Sequence, residues 1–293
     1  MKTTGIILLS LCSFLLFGEF SVNGQTVIGQ TTSGSFSSIS RHEVDIMIAD
    51  VSTTNPSVVK MLADPEARKR QIENLKQLLA FASQAQKDGL ASDPVNRQEM
   101  DNIRIETIAE SYDKEINKGK PAKQPFGYIE DESIRRFWSE ADREPEFQRF
   151  FGTKTALLRQ SNPKMSGREV SEEERVKVRD NFARTRIYSA EYEQKLSAGA
   201  LMKEFIEKAN LKVKLQQAQF LARLYADKVV DQLTATDKEV AAYVKTHRGL
   251  SKKEARSKLE NDKEQRLFGE LIANNDIQVP DDFTLPTLPR RKD

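Results

Sequence analysis

The sequence predicts an all-α, multi-helix protein with at most one short two-stranded pairing. Three observations carry that prediction. Serine or threonine stands three residues ahead of glutamate at Ser40/Glu43, Ser171/Glu174, Thr236/Glu239 and Ser251/Glu254. In such a capping box the hydroxyl accepts from the backbone N–H three residues on while the glutamate reaches back, so each pair marks a helix start. Asn55-Pro56, Asp64-Pro65 and Asp93-Pro94 mark three more, because the N–H that proline lacks has no partner in a first helical turn. Between these starts, apolar residues recur every three or four positions.

Taken in order, residues 1–24 read as an export signal. Lys2 supplies the positive start, Ile6 to Phe17 an apolar run of 12 residues, and Val22 and Gly24 the small residues before a cut at Gln25. Twelve residues are short for a bilayer span. Residues 25–39, rich in Ser, Thr and Gly, form a flexible lead-in. Ser40 then opens a short helix bearing Val44, Met47, Ile48 and Val51, and Asn55-Pro56 a second. From Asp64-Pro65, the residues Ile72, Leu75, Leu79 and Ala82 line one helical face that Gly89 ends. Asp93-Pro94 opens the next, along Met100, Ile103, Ile108, Tyr112 and Ile116, before a Pro-containing loop over 119–127.

Asp131 is read as the cap of a helix through Phe137 and Trp138, and Pro145 restarts the chain before Phe147, Phe150 and Phe151. After a break at 162–167, the Ser171 box leads a charged helix to about Leu196, with a kink expected at Ser197–Gly199. Leu211, Leu215, Ala218, Ala222, Tyr225 and Val229 then step in fours and threes, the spacing of a helix–helix seam. The Thr236 and Ser251 boxes open the last two helices, and the final one is expected to pack back on the N-terminal helices. Ile277-Gln278-Val279 alternates, with Thr26-Val27-Ile28 as the candidate strand partner. Residues 281–293 read as a disordered tail. The helices make one module over 40–280. Within it, Ile108 to Ile116 resembles Leu221 to Val229, a weak internal repeat of 64–143 against 197–250.

Composition narrows function. The 293 residues carry 46 Lys+Arg against 44 Asp+Glu, a net charge of +2 that provides no nucleic-acid-binding surface. After the signal, no stretch has the ~18 apolar residues of a membrane span. The single cysteine, Cys12, lies in the signal, which removes disulfides, thiol nucleophiles and Cys-based zinc sites from the remainder. His42 and His247 stand far apart, and no phosphate loop, dinucleotide fingerprint or G-x-S-x-G elbow occurs. No catalytic residue, cofactor or metal ligand is therefore assigned.

The aromatic residues carry two readings. Phe126 and Tyr128 lie in the Pro-containing loop, and Trp138, Phe150 and Phe151 crowd the middle of the chain. They form either a core between helices or an exposed apolar surface, rimmed by charge, that holds unfolded chains. On the second reading these five are the client-contact candidates.

Several segments carry a resemblance. Leu62-Ala63-Asp64-Pro65-Glu66-Ala67-Arg68, then Leu75, Leu78, Leu79, Ala85, Gly89-Leu90, Asp93-Pro94-Val95, Ala109 and Tyr112, resemble the chaperone module of SurA/PrsA-type periplasmic foldases, the parvulin-associated SurA N-terminal family. Thr236 to Tyr243, the final helix and Ile277-Gln278-Val279 are similar to that module's later parts. The resemblance covers residues 40–116 and 211–280. It implies an exported periplasmic holdase whose partners are unfolded or partly folded exported proteins, outer-membrane proteins among them, with the extracellular space as the alternative location. The chain departs from the family where its parvulin isomerase domain belongs. Only seven residues separate Tyr243 from Ser251, there is no Gly-Gly, and His247 is alone. Prolyl isomerisation is thus carried over to no residue, although isomerase kinship and an envelope scaffold with one dedicated partner stand as alternatives.

Overall fold

The structure, a computed structural model, describes residues 35–162, 167–247, 249–283 and 285. The export signal, the lead-in up to residue 34 and the end of the tail, 286–293, lie outside the described residues. Among the described residues the fold is all-α, with ten α-helices. They are α1 (Arg41–Thr54), α2 (Pro56–Leu62), α3 (Pro65–Lys87), α4 (Pro94–Ile116), α5 (Asp131–Trp138), α6 (Arg143–Ser161), α7 (Glu172–Ser197), α8 (Lys203–Leu233), α9 (Asp237–Thr246) and α10 (Lys252–Asn274).

Helix starts follow from local chemistry. All four capping boxes are formed, with hydroxyl and carboxylate each bonded to the other's backbone N–H. The Asp64 carboxylate accepts from Glu66 and Ala67, and Asp93 from Val95 and Asn96. Gly89 and Gly199 follow the ends of α3 and α7 with φ of 78° and 64°, the left-handed region that costs glycine little. Two expectations are corrected. The cap position of α5 is Glu130, which makes no side-chain bond, and Asp131 and Glu132 instead lie in the first turn beside the positive helix end. The kink expected at 197–199 is a full break, since α8 begins only at Lys203.

Among the described residues the helices divide into two compact units: 35–90 with 218–285, and 91–217. Helix α8 gives residues 203–217 to the second and 218–233 to the first. All six residues of its stepped seam are buried.

In the first unit α1 packs on α2, α2 on α3, and α9 on α10. The last helix returns to α3, as the sequence predicts. The core includes Val44, Ile48, Leu62, Leu79, Phe81 and Tyr225, with Phe81 meeting Tyr225 edge-on at 5.4 Å. The expected short pairing exists as one parallel bridge between Ser38 and Gln278. Gln278 donates to the Ser37 carbonyl at 2.8 Å, and its own carbonyl accepts from Ile39 at 2.9 Å. The bridge thus engages residues 37–39, while the partner named from the sequence, Thr26–Ile28, lies outside the described residues. The disordered tail is corrected at its start. Phe283 is buried, Asp281 pairs with Lys76 at 2.7 Å and Asp282 with Arg41 at 2.8 Å.

In the second unit α7 packs against α4 and α5, and α6 against α4. One cluster joins Ile108, Tyr112, Phe126, Tyr188, Tyr192 and Phe205. Another joins Phe137, Phe147, Phe150, Phe182 and Ala183.

Candidate functional site

The aromatic candidates do not form one exposed surface. Phe126 and Phe150 are 3% and 0% exposed and belong to the two core clusters of the second unit. Phe126 has φ of 59°, held by its N–H on the Asp113 carboxylate and by Arg184 on its carbonyl. Trp138, Phe151 and Tyr128 are half-buried and roofed by cations. The Arg179 guanidinium lies 3.5 Å over Trp138, Arg175 5.2 Å over Phe151, and Lys123 4.4 Å over Tyr128. Trp138, Phe150 and Phe151 do meet, through Phe147 and Phe182. That meeting is a core cluster, with Trp138 and Phe151 partly buried against it.

The open apolar feature lies in the first unit. Helix α1 turns Val44, Met47, Ile48 and Val51 to one side, the i, i+3, i+4, i+7 spacing of a single helical face. Val58 and Leu62 of α2 and Ile72, Leu75 and Leu78 of α3 continue the wall, and Val279, Pro280 and Phe283 complete it. Helix α2 is only 7 residues long. These elements line a half-open cavity of about 90 Å³.

Among the described residues, three carboxamides, Gln71, Asn74 and Gln219, are the only polar side chains in this lining. Gln71 Oε1 is buried and has no hydrogen-bond partner. A buried acceptor left unpaired costs free energy that an entering N–H donor recovers. The rim is basic. Arg68 lies 5.2 Å over the Phe283 ring and donates to the Leu62 carbonyl, and Lys76 and Arg41 hold the two aspartates. The site thus combines apolar walls, carboxamide groups and a cationic rim. The α1 face was visible in the sequence as periodicity. Its fourth wall was not, because Pro280-Asp281-Asp282 has the composition of a tail.

Titratable groups cluster elsewhere, in the second unit. Lys154 Nζ lies 2.6 Å from Glu99 and 3.2 Å from Glu106, and Asn102 donates to Glu99 at 2.9 Å. Burial pushes Glu106 up to about 8, against the pull of Lys154 and with the repulsion of Glu99. Burial also takes Arg186 down to about 9, opposed by its partner Glu146, whose own carboxyl burial raises. His247 stacks on Tyr243 at 4.0 Å, with its ring Nδ1 by the Tyr243 carbonyl and Thr246 hydroxyl. Neither place sets a nucleophile beside a base in an open cavity.

Among the described residues no group of three His, Cys, Asp or Glu is arranged to hold a metal ion, and no helix is long and apolar enough to cross a membrane. No protein-family model, curated protein or solved structure matches the chain.

Proposed function

We propose that the protein is an exported holdase that binds unfolded or partly folded proteins through the apolar cavity of its first unit. The observation that carries this reading is the lining: apolar on every wall, with an unpartnered Gln71 acceptor and two further carboxamides. Apolar walls take side chains of many shapes, and carboxamides bond the backbone, which every sequence shares. Such a site binds broadly and weakly. The N-terminal signal pattern and the resemblance to the SurA N-terminal family support a periplasmic setting, with exported and outer-membrane proteins as the clients.

The test is the aggregation of an unfolded outer-membrane protein, followed by light scattering, with and without equimolar chain beginning at Gln25. Suppression is expected. It should be lost in Met47→Asp and Leu75→Asp, two half-buried wall positions, at unchanged helix content. Tyr128→Ala, in the second unit, should leave it intact. Absence of suppression at every ratio, with capture of one folded partner at fixed stoichiometry, would replace this reading by that of an envelope scaffold.

A further inference from the structure

The cavity is already partly filled, and by the chain itself. Beyond α10 the backbone leaves the helix, bridges strand-like to Ser38 at Gln278, and then lays Val279, Pro280 and Phe283 against the apolar walls. Val279 and Phe283 stand four residues apart, and the two residues between Pro280 and Phe283 are aspartates. Those aspartates meet the basic rim: Asp281 on Lys76, Asp282 on Arg41. The Phe283 ring lies under the Arg68 guanidinium, an attraction of a cation for the ring face. Chemically, this strap is an apolar and acidic peptide seated in an apolar site with a cationic rim.

Its hold is of a kind that exchanges. Asp281 and Asp282 are 85% and 83% exposed at their side chains, and ion pairs that wet contribute little and are screened by salt. Phe283 supplies the main apolar anchor. No covalent link or long backbone ladder adds to it, since the pairing at Gln278 is a single bridge. A second segment offering the same groups can match each contact. It can also give Gln71 Oε1 the donor that it lacks.

We propose that the Val279–Phe283 strap is a resident ligand of the cavity, and that the cavity accepts in its place an extended segment of another polypeptide with two apolar residues four apart and acidic residues between them. This rests on reading the cavity as a polypeptide site, and it adds which polypeptides enter first and what holds the site closed until they do. Affinity in the intact chain is lowered by the fraction of molecules whose strap is in place. Client selection then leans toward apolar stretches bearing acidic residues.

The experiment uses a fluorescent peptide with the sequence of residues 275–285 and the chain beginning at Gln25, read by fluorescence anisotropy. Three proteins are compared: the native chain, Phe283→Ala, and Asp281→Lys with Asp282→Lys. Both variants should bind the peptide about tenfold or more tightly than the native chain, because their straps are released. A peptide carrying Lys in place of both Asp should bind the Phe283→Ala protein at least about tenfold more weakly, and added salt should narrow that difference. The double-Lys protein changes only exposed side chains, so it keeps the comparison valid if Phe283→Ala loses helix content. Equal affinity of the native chain and folded variants, equal affinity of the two peptides, or no binding to folded variants overturns the proposal. The aggregation assay on the same preparations separates the two ideas. Peptide exchange without suppression supports the strap and sinks the holdase reading; suppression without peptide exchange does the reverse.

Discussion

Lys154 shows what a single side chain decides in the second unit. One ammonium faces two buried carboxylates, Glu99 and Glu106, from 2.6 and 3.2 Å. It satisfies one, and the other retains its proton: burial raises Glu106 from 4.5 to about 8. The folded state therefore binds a proton more tightly than the unfolded chain. The stabilisation from Glu106 is complete below about pH 4.5 and is lost as pH rises toward 8. Urea unfolding should show a midpoint that declines across this window and levels above it, and Glu106→Gln should flatten the decline. Lys154→Met leaves both carboxylates without their cation and should cost about 3–5 kcal/mol at pH 9. Phe150→Ala, at a fully buried ring among Phe147 and Phe182, should cost about 3–5 kcal/mol, which an unfolding curve measures. These roles were hard to read in the sequence. Glu99 and Glu106 are seven residues apart and share a helical face, but a chain with 31% charged residues offers many such pairs. Which of those faces is buried depends on α6, about fifty positions away.

At the scale of elements, the starts and stops of helices were the most legible feature. A hydroxyl or carboxylate bonding two or three residues ahead is local chemistry, so the four boxes, Asp64 and Asp93 could be read directly. Asp93→Ala should remove the bonds to the Val95 and Asn96 N–H groups and lower stability by about 1 kcal/mol, seen as a reduced melting temperature with helix content unchanged below the transition. Glu130 was missed because it caps nothing with its side chain. The strap was missed for a different reason. Pro280, Asp281 and Asp282 are polar or helix-breaking, and what orders them lies far off in the chain: Lys76 is 205 positions away and Arg41 is 241. Local composition reports propensity, whereas this segment owes its place to distant partners. The aromatic loop taught the converse. Phe126 carried both a core and a surface reading because its neighbours are Pro and Gly; Asp113 and Arg184 fix its backbone, and its ring lies in the core.

For the whole molecule, the fold class followed from the helix-start signals and the apolar periodicity together. Circular dichroism of the chain beginning at Gln25 should be dominated by helix, and a strand-dominated spectrum would contradict the structure. The division into two units was not legible, because their boundary falls inside the unbroken α8, at Gln217 and Ala218. That division has a consequence for how the protein is made. Among the described residues the second unit is one stretch of sequence, whereas the first is written in two pieces at either end of it. A ribosome delivers α1 to α3 first and must then synthesise all of residues 91–217 before α10 exists to cover α3. Domains complete themselves in the order their sequence permits, so the second unit is free to fold while the first still waits. The Val44–Met47–Ile48–Val51 face spends that interval without its final wall. A protein proposed to shelter the apolar surfaces of others is, for most of its own synthesis, a nascent chain in need of the same shelter.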